Sequence, residues 1–297
     1  MSTGLVSLTI ALALVSEIAP SLPAQSPAPT PTDVFLVAHQ DDWQLFMGDV
    51  AYKAIRRGNN IVFIYLTAGD ENRGADYWRT RERAALQSTR LAAKVSDTAA
   101  AASATGCGSV LVLTHSIQRC ALANTVSYFM RLPDGRRDGS GFEHNAFQSL
   151  RKLRAKKISA IMTADSSGTY SDWNDLTATV QELVRRERVM GSPVTLHVND
   201  PNAAINPRDH SDHRIAGLAG AELRKNPGWG VVYYVGYALA GRPDNRSLAQ
   251  IREKTALFLV YDREMLIANR AWSTYSERPR FYSMCMLRTY ARKIPRR

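Results

Sequence analysis

"VFLVAHQDDWQLFMGD" (residues 34–49) decides how the chain is read. An apolar run ends in His39-Gln40-Asp41-Asp42, and apolar residues at helical spacing follow. A strand that is apolar at every position is buried on both faces, as in a parallel sheet covered by helices. Charged groups at its carboxyl end lie where open α/β sheets bind ligands. The charges are therefore expected at a site.

The alternation continues along the chain. "WQLFMGDVAYKAIRRGN" (43–59) reads as a helix, "NIVFIYLTAG" (60–69) as a second buried strand and "DYWRTRERAALQSTRLAAKV" (76–95) as a helix. "SVLVLT" (109–114) reads as the third strand, and "NTVSYFMRLPDG" (124–135) as a further β-like patch ending in a turn. "NAFQSLRKLRAKK" (145–157) reads as a helix leading into strand "ISAIMTA" (158–164). Three more units follow the same rule: helix 173–189 into strand 193–199, helix 213–225 into strand 230–237, and a last helix at 247–267 before an aromatic, Arg-rich end. Short strands alternating with helices imply an α/β fold with a mostly parallel sheet and helices on both faces.

Composition sets the outer limits. The 297 residues are 45% hydrophobic and 22% charged, an ordinary globular balance. Lys and Arg number 38 against 27 Asp and Glu, for a formal charge of +11. No aromatic-interleaved basic motif accompanies the excess, so no nucleic-acid partner is expected. Solubility is the plain reading, and an anionic envelope polymer the alternative. Residues 5–15 are almost wholly apolar, the length of a signal-peptide core and too short to span a bilayer. Residues 1–24 are read as a signal peptide, 25–32 as a Pro-rich tether and 33–297 as one domain, exported to the periplasm or beyond. No later stretch reads as transmembrane, and a homo-oligomer stays open. Cys107, Cys120 and Cys285 lack zinc-ribbon spacing and read as core cysteines, with a Cys107–Cys120 pair as the alternative.

The residues that carry chemistry fall at strand ends. His39 and Asp42 are three apart at a strand-to-helix bend, and His210 and His213 are three apart in "NPRDHSDHRIAG". Imidazole and carboxylate suit zinc, which takes three protein ligands in a catalytic site. Asp70, Glu71, His115 and Asp165 also follow strands and are candidates to line the site. His144 and His197 read as structural.

These pieces resemble the PIG-L/LmbE-like zinc-dependent N-deacetylases. "VAHQDDWQLF" matches the segment after the first strand and "DHSDHR" the later His-x-x-His-like segment. "LTAGDEN" (66–72) and "WRTRERAA" (78–85), with Arg79 and Glu82 in register, match the loop and helix between them. The resemblance spans roughly residues 33–240. It implies a Rossmann-like three-layer sandwich and hydrolysis of an N-acyl group, usually acetyl, from an amino sugar or glycoconjugate. By the same resemblance His39, Asp42 and His213 would hold zinc and Asp41 would be the general base. His210 would meet the oxyanion or the departing amine, oriented by Asp212. Arg79 would bind substrate, with Glu82 as its partner and Asp70 near the same site. Two departures stand out: Gln40 replaces a Pro, and Trp43 replaces an acidic residue. Trp43 could pack, or stack on a sugar; it also keeps open a lapsed carbohydrate-binding protein of the same fold.

Overall fold

Strand β1 (Thr32–Val37) is buried at all six positions, and the pleat divides it between two cores. Val34 and Leu36 face one side, Phe35 and Val37 the other. This computed structural model describes Met1 and residues 29–95 and 106–294. The signal-peptide reading and residues 25–28 of the tether lie outside the described residues.

Helix α1 (Asp42–Arg56) returns to β2 (Asn60–Thr67), which pairs with β1 in parallel. Helix α2 (Ala75–Ala93) follows. Next comes an antiparallel run of β3 (Gly106–Val112), β4 (His115–Leu122) and β5 (Thr125–Leu132). A short helix α3 (Leu150–Arg154) and a separate two-stranded ribbon of β6 (Ile161–Met162) and β7 (Thr169–Tyr170) lead to α4 (Trp173–Glu187). Then come β8 (Val194–Asn199), α5 (Ser211–Leu223) and β9 (Trp229–Tyr234). The chain closes with α6 (Leu248–Ala268), α7 (Thr274–Glu277), α8 (Pro279–Met286) and β10 (Ala291–Ile294).

The main sheet has the order β10-β9-β8-β1-β2-β5-β4-β3. Its five central strands are parallel, and antiparallel strands close both edges. Helices α4 and α5 cover one face; α1, α2, α6 and α8 cover the other. The α/β three-layer expectation is met.

The middle of the chain departs from expectation. Residues 109–114 are not the third parallel strand; they fall within an outer hairpin, and β5 takes the place beside β2. The helix expected over 145–157 shrinks to five residues, and the strand expected at 158–164 to the two-residue β6, outside the main sheet. Cys107 and Cys120 face each other across the β3–β4 ladder and form a disulfide, while Cys285 is buried and free. Among the described residues no helix is long and apolar enough to cross a membrane.

Helix α5 is held close to the end of β8 because Gly217 has no side chain. A Cβ there would stand 2.2 Å from the Asn199 carbonyl oxygen and 2.8 Å from Pro201 Cδ. Gly217→Ala is expected to lower stability by about 1–3 kcal/mol, read by thermal unfolding. An unchanged melting temperature would contradict this close packing.

Candidate metal centre and active site

The strands β8, β1, β2 and β5 are neighbours, and the loops at their carboxyl ends converge. β1 delivers His39, Asp41 and Asp42, while β5 delivers Asp134. The loop after β8 and the start of α5 deliver Asp209, His210, Asp212 and His213. A cavity of about 330 Å³ opens there, lined by His39, Asp41, Asp42, Asp134 and His210 among others.

Asp42 sits in the first turn of α1, and its Oδ2 accepts the backbone N–H groups of His39 (2.8 Å) and Ala38 (3.1 Å). Its Oδ1 is left 2.9 Å from His213 Nε2 and 3.5 Å from His39 Nδ1, and those two nitrogens are 3.2 Å apart. Four-coordinate ligands at roughly 2.0–2.2 Å from a zinc ion stand roughly 3.3–3.6 Å from one another. The triangle of two imidazole nitrogens and one carboxylate oxygen therefore fits a divalent ion. Asp209 Oδ1, 3.0 Å from His213 Nδ1, fixes the ring so that Nε2 faces Asp42. A carboxylate behind a ligating imidazole orients it and raises its basicity.

The other ring nitrogen of His39 faces a second group of donors. His39 Nε2 lies 3.5 Å from Asp134 Oδ2 and 3.7 Å from Asp212 Oδ2. His39 Nε2 and Asp212 Oδ1 are buried with no hydrogen-bond partner among the described residues. His39, Asp134, His210 and Asp212 bring donor atoms within 4.8 Å of one another. Burial pushes the Asp134 carboxyl up to about 7, against the pull of His39 and with the Asp212 and Glu71 carboxylates adding.

Asp41 occupies the cap position of α1, yet its side chain makes no capping hydrogen bond. Its Oδ1 instead meets Arg81 Nη2 at 2.6 Å. Arg81 is buried and also donates to Tyr261 Oη (2.9 Å) and the Gly69 carbonyl (2.9 Å). Gly69 has φ +56°, and a Cβ on it would stand 2.6 Å from Arg81 Nη1, so only glycine leaves room. His210 caps α5, and its Nδ1 accepts the Asp212 N–H at 3.2 Å. The neutral ring therefore carries its proton on Nε2. Burial, reinforced by His39 and His213, holds the His210 pKa well below its usual value.

Several expectations need correction. Arg79 is exposed, with its guanidinium 5.0 Å from the Trp78 ring, and does not line the cavity. Glu82 pairs with Arg131, not Arg79, through two 2.8 Å contacts. Trp43 is fully buried; its Nε1 donates to Tyr65 Oη at 3.0 Å, so the indole is not available to stack on a sugar. Asp70 is buried and does not line the cavity; it accepts the Asp134 N–H (2.9 Å) and meets His144 Nε2 (2.5 Å). His115 pairs with Asp175 and stacks on Tyr170 at the outer hairpin. Asp165 pairs with Arg131. Gln40 is buried and ties the first loop to the end of β2 by donating to the Thr67 carbonyl.

Arg81, Asp134 and Asp209 were missed, as was the wall formed by Tyr237, Arg278 and Tyr282. Helical phase could have found Arg81: among the buried residues of α2, Tyr77, Arg81, Ala84, Ala85, Ser88 and Ala92 recur at helical spacing, while Arg79 and Arg83 are exposed.

A family model described as PIG-L, GlcNAc-PI de-N-acetylase, matches residues 34–223. No curated protein matches the chain. Among solved structures, an inhibitor complex of N,N'-diacetylchitobiose deacetylase from Pyrococcus horikoshii is similar at 13% identity, covering 89% of this chain and 84% of that one, with a TM-score of 0.48. The zinc-inhibited form of teicoplanin deacetylase Orf2 is 11% identical over 80% and 85%, with a TM-score of 0.44. The 4-carboxy-2-hydroxymuconate hydratase GalB from Pseudomonas putida is 12% identical over 82% and 89%, with a TM-score of 0.42.

Two expectations follow from the geometry. Asp209→Asn should leave the metal stoichiometry intact while weakening affinity about 10–100-fold in calorimetric titration; unaltered affinity would show that Asp209 does not support the ligand. The second concerns pH. Burial alone would lower the His213 pKa, but Asp42 and Asp209 outweigh it and raise it to about 10. His39 is raised as well, against burial, chiefly by Asp42. A metal binds only the neutral ring, so loading must expel these protons. Affinity should therefore rise with pH as both rings give up their protons, His213 at about 10. Titrations in buffers of different ionisation enthalpy should register the released protons; no release would contradict the assignment.

Proposed function

The chain belongs to the PIG-L family, and on that premise we propose a zinc-dependent hydrolase that removes an N-acyl group, N-acetyl first, from an amino sugar or its glycoconjugate. The observation that carries this reading is the triangle of His39 Nδ1, Asp42 Oδ1 and His213 Nε2 at the wall of a polar cavity shared with Asp41 and His210.

His39, Asp42 and His213 would hold the ion, which when bound lowers the pKa of water and polarises an amide carbonyl. The chain's own groups do the rest. Arg81 anchors Asp41 Oδ1 and leaves Oδ2 to take a proton from the attacking water. Adjacent aspartates thus divide the work: Asp42 is committed to two backbone amides and two imidazoles, and Asp41 stays free on one oxygen. His210, neutral with its proton on Nε2, presents a hydrogen bond to the developing oxyanion. Asp212 lies 3.8 Å from His210 Nδ1 and accepts the Gly135 N–H, which fixes its place behind the ring. Arg81 takes the site position that the resemblance had given to Arg79. A lapsed carbohydrate-binding protein of the same fold is the second reading: it keeps the replacement of an acidic residue by Trp43 as its ground, but not a sugar platform, because that indole is buried.

Export is part of the same proposal. The Cys107–Cys120 disulfide suits an oxidising compartment.

Acetate release from N-acetylated amino-sugar oligosaccharides tests the reading. Asp41→Asn should keep metal and lose roughly 10²–10⁴ in kcat. His210→Ala should also keep metal and lose kcat, whereas His213→Ala should lose metal and activity together. Full turnover in both Asp41→Asn and His213→Ala would refute the site.

A further inference from the structure

The cavity does not end at its mouth. Arg136, Arg137 and Arg278 line it, and two of them continue with Arg208 into a neighbouring depression. Arg137 also borders a third depression, which carries Arg151, Arg154 and Arg214. All seven are exposed. Arg136, Arg137, Arg208 and Arg278 meet no carboxylate at ion-pair distance among the described residues, in a protein whose other arginines often do. Asp138 and Glu277 are the exposed carboxylates beside them; Glu277 stands next to Arg278 at the cavity, and Asp138 Oδ1 is engaged by the N–H and hydroxyl of Ser140.

Two of these arginines stand on unfavourable backbone. Arg136 has φ +58° and Arg208 φ +54°, a region where a non-glycine residue costs roughly 1 kcal/mol or more. Glycine or asparagine would sit there with less strain, so packing does not account for arginine at either place. Arg154 meets Glu222 at 3.5 Å, but the four unpaired guanidiniums that lead out of the cavity are suited to a ligand with repeated negative charge. Nucleic acid fits less well. Arg136 lies over the Phe142 ring at 5.0 Å and Arg137 over Tyr237 at 5.7 Å, so these two rings are covered, and Phe281 beside Arg137 and Arg208 is half-buried against Tyr237 and Tyr282.

Resting on the deacetylase reading for the sugar that enters the cavity, we propose that the substrate is a polyanionic glycan. The N-acetylated amino sugar occupies the cavity, and anionic groups on the flanking sugars lie along Arg136, Arg137, Arg208 and the arginines of the third depression.

The test is a binding titration with a fluorescein-labelled hyaluronan octasaccharide, which alternates N-acetylglucosamine with glucuronate. N-acetylchitooctaose serves as the neutral counterpart and single-stranded DNA as the nucleic-acid one. Hyaluronan should bind more tightly than the neutral oligomer at about 50 mM salt and lose most of that advantage by about 200 mM. The double variant Arg136→Asn with Arg208→Asn removes two charges and relaxes both strained residues. Its melting temperature should hold or rise while the hyaluronan Kd weakens at least roughly tenfold. Equal binding of the neutral oligomer, a Kd indifferent to salt, or an unchanged Kd in the folded double variant would overturn the proposal, as would tighter binding of DNA. Binding as expected with no acetate released from any glycan would sink the catalytic reading alone and leave the track as a glycan surface.

Discussion

The Asp42 carboxylate is the constraint on which the rest of the site depends. One oxygen is spent on the amides of Ala38 and His39, which pins the carboxylate to the end of β1. The other faces two imidazoles, one three residues before it and one 171 residues later in the chain. Burial alone would push Asp42 towards its protonated form, but His213 and His39 hold it well below the usual carboxylate range. An ionised, desolvated oxygen is tolerated only beside positive charge, supplied by protons on these imidazoles or by a cation that replaces them. Further positive charge is favoured here: Asp134 and Asp212 crowd the far side of His39, and Arg81 is committed to Asp41.

The surrounding layers serve to hold this arrangement still. Asp209 fixes one imidazole from behind and also takes the N–H of Tyr237, a residue of the cavity wall. Arg81 is locked by Asp41, Tyr261 and Gly69, which joins α2, α6 and the loops after β1 and β2. Buried Lys254 on α6 donates to the Cys285 carbonyl and to Thr289, tying down the segment that ends α8, the helix that brings Tyr282 to the cavity. The C-terminal wall lies beyond residues 34–223, the part matched by the family model.

Much of this was legible in the sequence where local pattern and global fold agree. Uninterrupted apolar strands placed His39, Asp41 and Asp42 at a sheet's carboxyl end, and two histidines at a helix start brought the partner. Reading failed where pairing partners lie far apart. The 109–114 run is as apolar as a central strand, but its partner is the adjacent hairpin strand, so His115 went to the edge and Asp134 to the site. Arg79 and Arg81 differ by two residues, which on a helix means opposite faces, and resemblance alone cannot phase them. Trp43 looked like a candidate sugar platform because sequence does not show that Tyr65 waits to accept its N–H. The aromatic tail gave no periodic signal, since its residues act from short helices and turns.

The most direct measurement is anomalous diffraction at the zinc edge from crystals of the protein supplied with zinc. A single peak roughly 2.0–2.2 Å from His39 Nδ1, Asp42 Oδ1 and His213 Nε2 is expected. A peak instead among His39 Nε2, Asp134, His210 and Asp212 would move the ion to the second donor group and take His210 out of its role as oxyanion partner. No peak at either place would contradict the metal centre itself.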